Sequence, residues 1–154
     1  MGGKAFNQLL PPTAFPRIPS AVYHAVKARL LPRLQNLFEH VGVPCEAPEK
    51  VDHGDLDFIV ATAKAEGLQT ILDRVKAALG ATVSIHIDGN PTTNLATPAA
   101  VGEWAAYGHA AEEEKYRGAN GDSIYYQVDI HVCTDLAEWN RVIFFHSYGD
   151  LGQS

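Results

Sequence analysis

Residues 123–133, Ser-Ile-Tyr-Tyr-Gln-Val-Asp-Ile-His-Val-Cys, alternate in side-chain character from one position to the next. In extended chain this puts Tyr126, Val128, Ile130 and Val132 on one side and Tyr125, Gln127, Asp129, His131 and Cys133 on the other. A helix would scatter the apolar set around its circumference, whereas a strand gathers it. The chain must therefore build a sheet with one apolar face to cover and a second face that carries a carboxylate at its centre.

A second stretch has the same design. Gly54-Asp55-Leu56-Asp57-Phe58-Ile59-Val60 reads as a strand with Leu56, Phe58 and Val60 on one side and Asp55 and Asp57 on the other. Two carboxylates about 6–7 Å apart along one strand repel unless water or a cation lies between them. By itself an Asp-x-Asp on a strand is more often a solvated pair. Joined to a strand with its own central Asp129, it suggests a metal site.

Helices to cover the apolar faces are legible around these strands. Ser20 is expected to cap a long helix over about Ala21 to His40. Val22, Val26, Leu30, Leu34, Leu37, Phe38 and Val41 recur along it at helical spacing, Pro32 kinks it and Gly42 ends it. Val43–Pro48, interrupted by proline, suits an edge strand or a crossing segment. Glu66 to Leu79 is a second amphipathic helix ending at Gly80. Thr82 to Ile87 reads as a strand with His86 and Asp88 on its polar side, and Thr92 to Thr97 as another. Thr134 is expected to cap a last helix, with Leu136, Trp139, Val142, Ile143 and His146 spaced to pack. Residues 98–122, rich in alanine and containing Glu112-Glu113-Glu114, form a helix-prone, polar insertion or lid. Residues 1–19 form an extended lead-in.

These elements specify an α+β domain over residues 1–154: a mixed β-sheet with helices on one face and a polar, carboxylate-bearing open face. The composition suits a folded globular chain, with 46% hydrophobic and 19% charged residues. No apolar run reaches the ~20 residues of a membrane-spanning helix. Met1-Gly2-Gly3 invites comparison with a myristoylation signal, but Phe6 stands where Ser or Thr belongs. The formal charge of −6 and the lack of a Lys/Arg run disfavour long duplex nucleic acid as a partner. With only Cys45 and Cys133 and no Cys-x-x-Cys, a disulfide framework is not expected, which points to a reducing, intracellular setting. The closing Tyr148–Ser154 resembles no tail, so a further C-terminal region is expected.

Gly54-Asp55-Leu56-Asp57-Phe58, together with Val128-Asp129-Ile130, resembles the signature of the DNA polymerase beta-like nucleotidyltransferase superfamily. More narrowly, Met1–Phe6, Glu46–Lys50, Gln127–Cys133 and Gly149-Asp150-Leu151 are similar to fungal and viral nucleotidyltransferase-like proteins. The resemblance takes in most of the chain, least in 98–122. It implies transfer of a nucleotidyl group from a nucleoside triphosphate such as ATP to a hydroxyl acceptor. It also implies a pair of Mg²⁺ ions, with Mn²⁺ as the alternative, held by Asp55, Asp57 and Asp129.

The superfamily also places a glycine turn upstream of the first Asp to cradle phosphates. Here Ala47-Pro48-Glu49-Lys50 occupies that stretch, without glycines. Either Gly2 and Gly3 take over that role in space, with Lys4 or Lys50 on the phosphates and Gly54 beside them, or phosphate binding is weakened. Local sequence alone reads the N-terminal glycines as flexible chain. Lys50 and His53 could each meet a phosphate or be solvated loop side chains.

Two alternatives accompany this reading. One is a domain of the same fold that has lost transfer activity and serves as a binding or assembly module. The other is a zinc-dependent hydrolase built from His53, His86, His131 and Cys133 with Asp129, which lacks any clustered His/Cys spacing.

Overall fold

The computed structural model describes residues 6, 9–44, 51–64, 67–121 and 123–153, the last eight by backbone alone. Among the described residues, seven strands and four α-helices run in the order β1 (Ile18–Pro19), α1 (Ser20–Gln35), β2 (Phe38–Gly42), β3 (Asp52–His53), β4 (Asp55–Ala63), α2 (Leu68–Ala78), β5 (Val83–Ile85), β6 (Thr92–Pro98), α3 (Ala110–Ala119), β7 (Tyr125–Cys133) and α4 (Leu136–Gln153). Five of the strands form a mixed sheet in the order β2-β4-β7-β6-β5, and β1 pairs with β3 in a small ribbon. The central β4–β7 pair is parallel, and the other pairs of the large sheet are antiparallel. The fold is α+β.

The apolar side chains of β4 and β7 point to one face, as their alternation requires. There Leu56, Phe58, Val60, Tyr126, Val128 and Ile130 meet Val22, Val26, Leu30 and Leu34 of α1 and Ile71 and Val75 of α2. Burying each aliphatic or phenyl side chain contributes about 1.5–3 kcal/mol.

The long first helix is shorter than its apolar stripe suggests. α1 ends at Gln35, and Phe38–Gly42 becomes the edge strand β2 instead of continuing helix to His40. Pro32 has no N–H to give the helix ladder, and beyond it the backbone gains more by pairing antiparallel to β4, Phe38 opposite Ala63 and Gly42 opposite Ile59. Phe38 is buried either way, so its burial pattern could not discriminate. The edge strand thus lies before Val43–Pro48, of which 45–48 fall outside the described residues. Ser20 is the first helical residue, and Pro19 holds the cap position. Gly42 does not stop a helix. A Cβ there would collide with Ile143 Cδ1 and press on Trp139, so the glycine lets α4 lie across β2.

α4 corrects the expectation that helices cover one face only. It packs on the carboxylate-bearing face, where Trp139, Val142 and Ile143 cover Ile59, Ala61 and Cys133. Trp139 Nε1 donates to the Ile59 carbonyl at 2.8 Å. The helix is capped by Asp135, whose Oδ1 accepts from the Glu138 N–H at 2.8 Å, one residue later than the expected Thr134. At the other end of the same face Phe6 and Phe15, stacked 5.3 Å apart, pack on Ala96 and Tyr125. The open face is therefore a band between two apolar covers.

Residues 98–121 are tied into the core. Trp104 is fully buried, and its indole N–H donates to Tyr126 Oη, which donates in turn to Glu103. Burial first, and the Glu103 carboxylate second, push the Tyr126 phenol well above its ordinary value. Within the run of three glutamates, Glu113 is turned inward. Its carboxylate accepts from the Gly102, Trp104 and Ala105 N–H groups and from Arg117 Nε, and Arg117 Nη2 donates to the Ala99 and Ala100 carbonyls.

Among the described residues, no helix is long and apolar enough to cross a membrane.

Candidate metal centre

The register of the central strands assembles the site. In the parallel β4–β7 pair Asp57 is the direct partner of Asp129, and Asp55 that of Gln127. All four side chains project to the face opposite the main core. Asp55, Asp57 and Asp129 each offer a carboxylate oxygen within 4.8 Å of the others. The sequence pattern fixed which face each residue takes. It could not fix the register that sets Asp57 beside Asp129.

Two amides orient Asp129. Asn94 lies opposite it on β6 and donates from Nδ2 to Oδ1 at 2.7 Å. Gln127 donates from Nε2 to Oδ1 at 2.9 Å and to Oδ2 at 3.2 Å. Asp129 is thus held from both sides, as outer partners hold a ligating carboxylate. No motif in the sequence marks Asn94. The only signal for it was its place in a short strand beside a carboxylate strand.

A donor set made entirely of carboxylate oxygens, partly open to solvent, suits a hard divalent cation such as Mg²⁺ or Mn²⁺. The three residues fit that group.

The other expected contacts separate. Gly54 forms the bend between β3 and β4, next to the cluster. Gly2, Gly3, Lys4 and Lys50 lie outside the described residues. His53 is not placed for a phosphate: it is 2% exposed, and its ring stacks on Tyr23 at 3.6 Å.

His86, just beyond β5, also turns away. Val83 and Ile85 pack with Phe6 and Phe15 on the carboxylate face. His86 faces the opposite side, where Nδ1 lies 3.0 Å from Thr93 Oγ1. The antiparallel register, Ile85 opposite Asn94, decides this.

The zinc grouping of His53, His86, His131, Cys133 and Asp129 therefore does not assemble. His131 and Cys133 instead meet Glu138 from the first turn of α4, with one ligand atom from each within 4.8 Å of the others.

Comparison of the chain with protein-family models and with curated proteins finds no match.

Proposed function

We propose that Asp55, Asp57 and Asp129 hold divalent metal for transfer of a nucleotidyl group from a nucleoside triphosphate to a hydroxyl acceptor, in a domain of the DNA polymerase beta-like nucleotidyltransferase type. The observation that carries this reading is the pairing of Asp57 with Asp129 across two parallel strands, with Asp55 on the same face and all three within reach of one cation. Neighbouring carboxylates repel one another, and a divalent cation held among them offsets that repulsion. The resemblance of the Gly-Asp-Leu-Asp and Val-Asp-Ile segments to that superfamily supplies the reaction class.

Bound metal would neutralise triphosphate charge and make the acceptor hydroxyl easier to deprotonate. The chain's own contribution is positioning. Asp55 and Asp57 are fixed by a strand whose other side buries Leu56, Phe58 and Val60. Asp129 is oriented by Asn94 and Gln127, so its carboxylate would need little reorganisation to hold a metal ion. The apolar covers formed by α4 and by Phe6 and Phe15 would confine a bound triphosphate to the band between them.

Titration calorimetry with Mg²⁺ and ATP tests the reading. The native chain is expected to bind ATP only with the metal, and Asp57→Asn to weaken that binding at least tenfold while unfolding at the same temperature. An Asp57→Asn chain that fails to fold would make the cluster structural and sink the proposal. Metal binding without nucleotide binding would leave a non-catalytic domain of the same fold, the alternative already named. Release of pyrophosphate in the presence of hydroxyl compounds then identifies the acceptor class.

A further inference from the structure

We infer that His131, Cys133 and Glu138 form a second metal site, selective for a thiophilic cation of the Zn²⁺ class, that ties the first turn of α4 to the end of β7. This site is separate from the three-carboxylate cluster and does not depend on the nucleotidyl-transfer reading. His131 and Cys133 are alternate residues of β7 and so project from the same face. Glu138 lies in the first turn of α4. The chain reverses through Thr134 and Asp135, which returns that turn over the strand end.

His131 and Glu138 each have a hydrogen-bond partner, and Cys133 is held by packing. Thr92 Oγ1 lies 3.2 Å from His131 Nδ1 and steadies the ring. Glu138 accepts from the Thr134 N–H and hydroxyl through Oε2 alone, and the Asp135 cap fixes the backbone that carries it. Cys133 is 3% exposed beneath Trp139 and Ile143, whereas His131 and Glu138 are half-buried, so a cation would enter from the side of the imidazole and carboxylate.

One sulfur, one ring nitrogen and one oxygen make a mixed donor set that Mg²⁺ disfavours and Zn²⁺ accepts. With Zn–S and Zn–N bonds of about 2.3 and 2.0 Å, ligand atoms around a tetrahedral ion stand roughly 3.5 Å apart. The three atoms, now within 4.8 Å, reach that spacing by small side-chain rotations. Three protein ligands leave a fourth position for water. The two sites on this face would therefore sort cations by hardness: oxygen-only at Asp55, Asp57 and Asp129, sulfur-bearing at the α4 end.

Cobalt substitution tests this on the whole chain, because only a thiolate ligand produces a thiolate-to-Co²⁺ charge-transfer band. The band is expected in the native chain, in Cys45→Ser and in Asp57→Asn, with displacement by an equimolar amount of Zn²⁺. It is expected to disappear in Cys133→Ser. In Glu138→Gln, which alters a helix-surface carboxylate without disturbing the core, cobalt affinity should fall about tenfold or more. Zn²⁺ should raise the unfolding temperature of the native chain and leave that of Glu138→Gln almost unchanged. No band in the native chain, a band that survives Cys133→Ser, or unaltered affinity in Glu138→Gln overturns the inference.

Discussion

Asp57 of β4 and Asp129 of β7 are register partners across a parallel strand pair, so two carboxylates emerge side by side from adjacent strands. Strands in a sheet lie about 4.8 Å apart. Two charges at that distance repel by about 1–3.5 kcal/mol across the range from water to protein surface. A divalent cation turns this cost into attraction. The same pairing makes the cluster sensitive to side chains that never touch metal, and Asn94 is the foremost of these.

Asn94→Ala removes the amide that donates to Asp129 Oδ1 at 2.7 Å. Loss of an outer partner typically lowers metal affinity about 10–100-fold. Calorimetry with Mn²⁺ should show a decrease of that size, with the thermal midpoint nearly unchanged because Asn94 is half-buried. Unaltered Mn²⁺ affinity would mean that Asp129 is not a ligand.

Glu113→Gln should cost about 3–5 kcal/mol, the usual consequence of removing one partner from a buried ion pair. The substitution removes the Glu113 charge to which Arg117 Nε donates, while the Ala99 and Ala100 carbonyls still accept from Nη2. Urea denaturation is the measurement. Glu112→Gln and Glu114→Gln, on exposed neighbours, should shift the midpoint hardly at all.

The same residue gives the fold an acid limit. Burial acts to raise the Glu113 carboxyl, but the hydrogen bond from Arg117, the Gly102 and Ala105 N–H groups and the Arg117 charge together hold it below its ordinary value. A depressed folded value means that the contribution to stability is complete above the ordinary carboxylate range. It is lost as pH falls through the depressed value. Stability measured against pH should therefore decline on the acid side, and the decline should be shallower in Glu113→Gln. Parallel acid limbs in the two chains would remove Glu113 from the explanation.

Gly42→Val should destabilise by about 1–3 kcal/mol through overpacking, since its Cβ would meet Ile143 Cδ1 and Trp139. Valine otherwise favours a strand, so a gain in stability would mean that α4 does not lie across β2. Ile143→Ala in the Gly42→Val background should recover part of the loss, which a midpoint comparison of the single and double variants would show.

Much of the strand architecture is legible in the sequence because side-chain alternation is local. Tyr126, Val128, Ile130 and Val132 separate from Gln127, Asp129 and His131 by the pleat alone, and Asp55 and Asp57 share a face for the same reason. The α1 stripe is legible up to Leu34. Beyond it the pattern of Leu37, Phe38 and Val41 suits helix and strand alike, and an available edge on β4 chose the strand.

Within the carboxylate pair the sequence determined the residues, their face and their oxygen-only chemistry. Tertiary structure decided what no periodicity encodes. It set Asp129 beside Asp57, brought Asn94 against Asp129 and turned His86 away. It drew Glu113 inward from a run of three glutamates, and it laid α4 over the carboxylate face with Glu138 beside His131 and Cys133. Register and chain reversal depend on contacts between residues distant in sequence, and those contacts exist only once the sheet has formed.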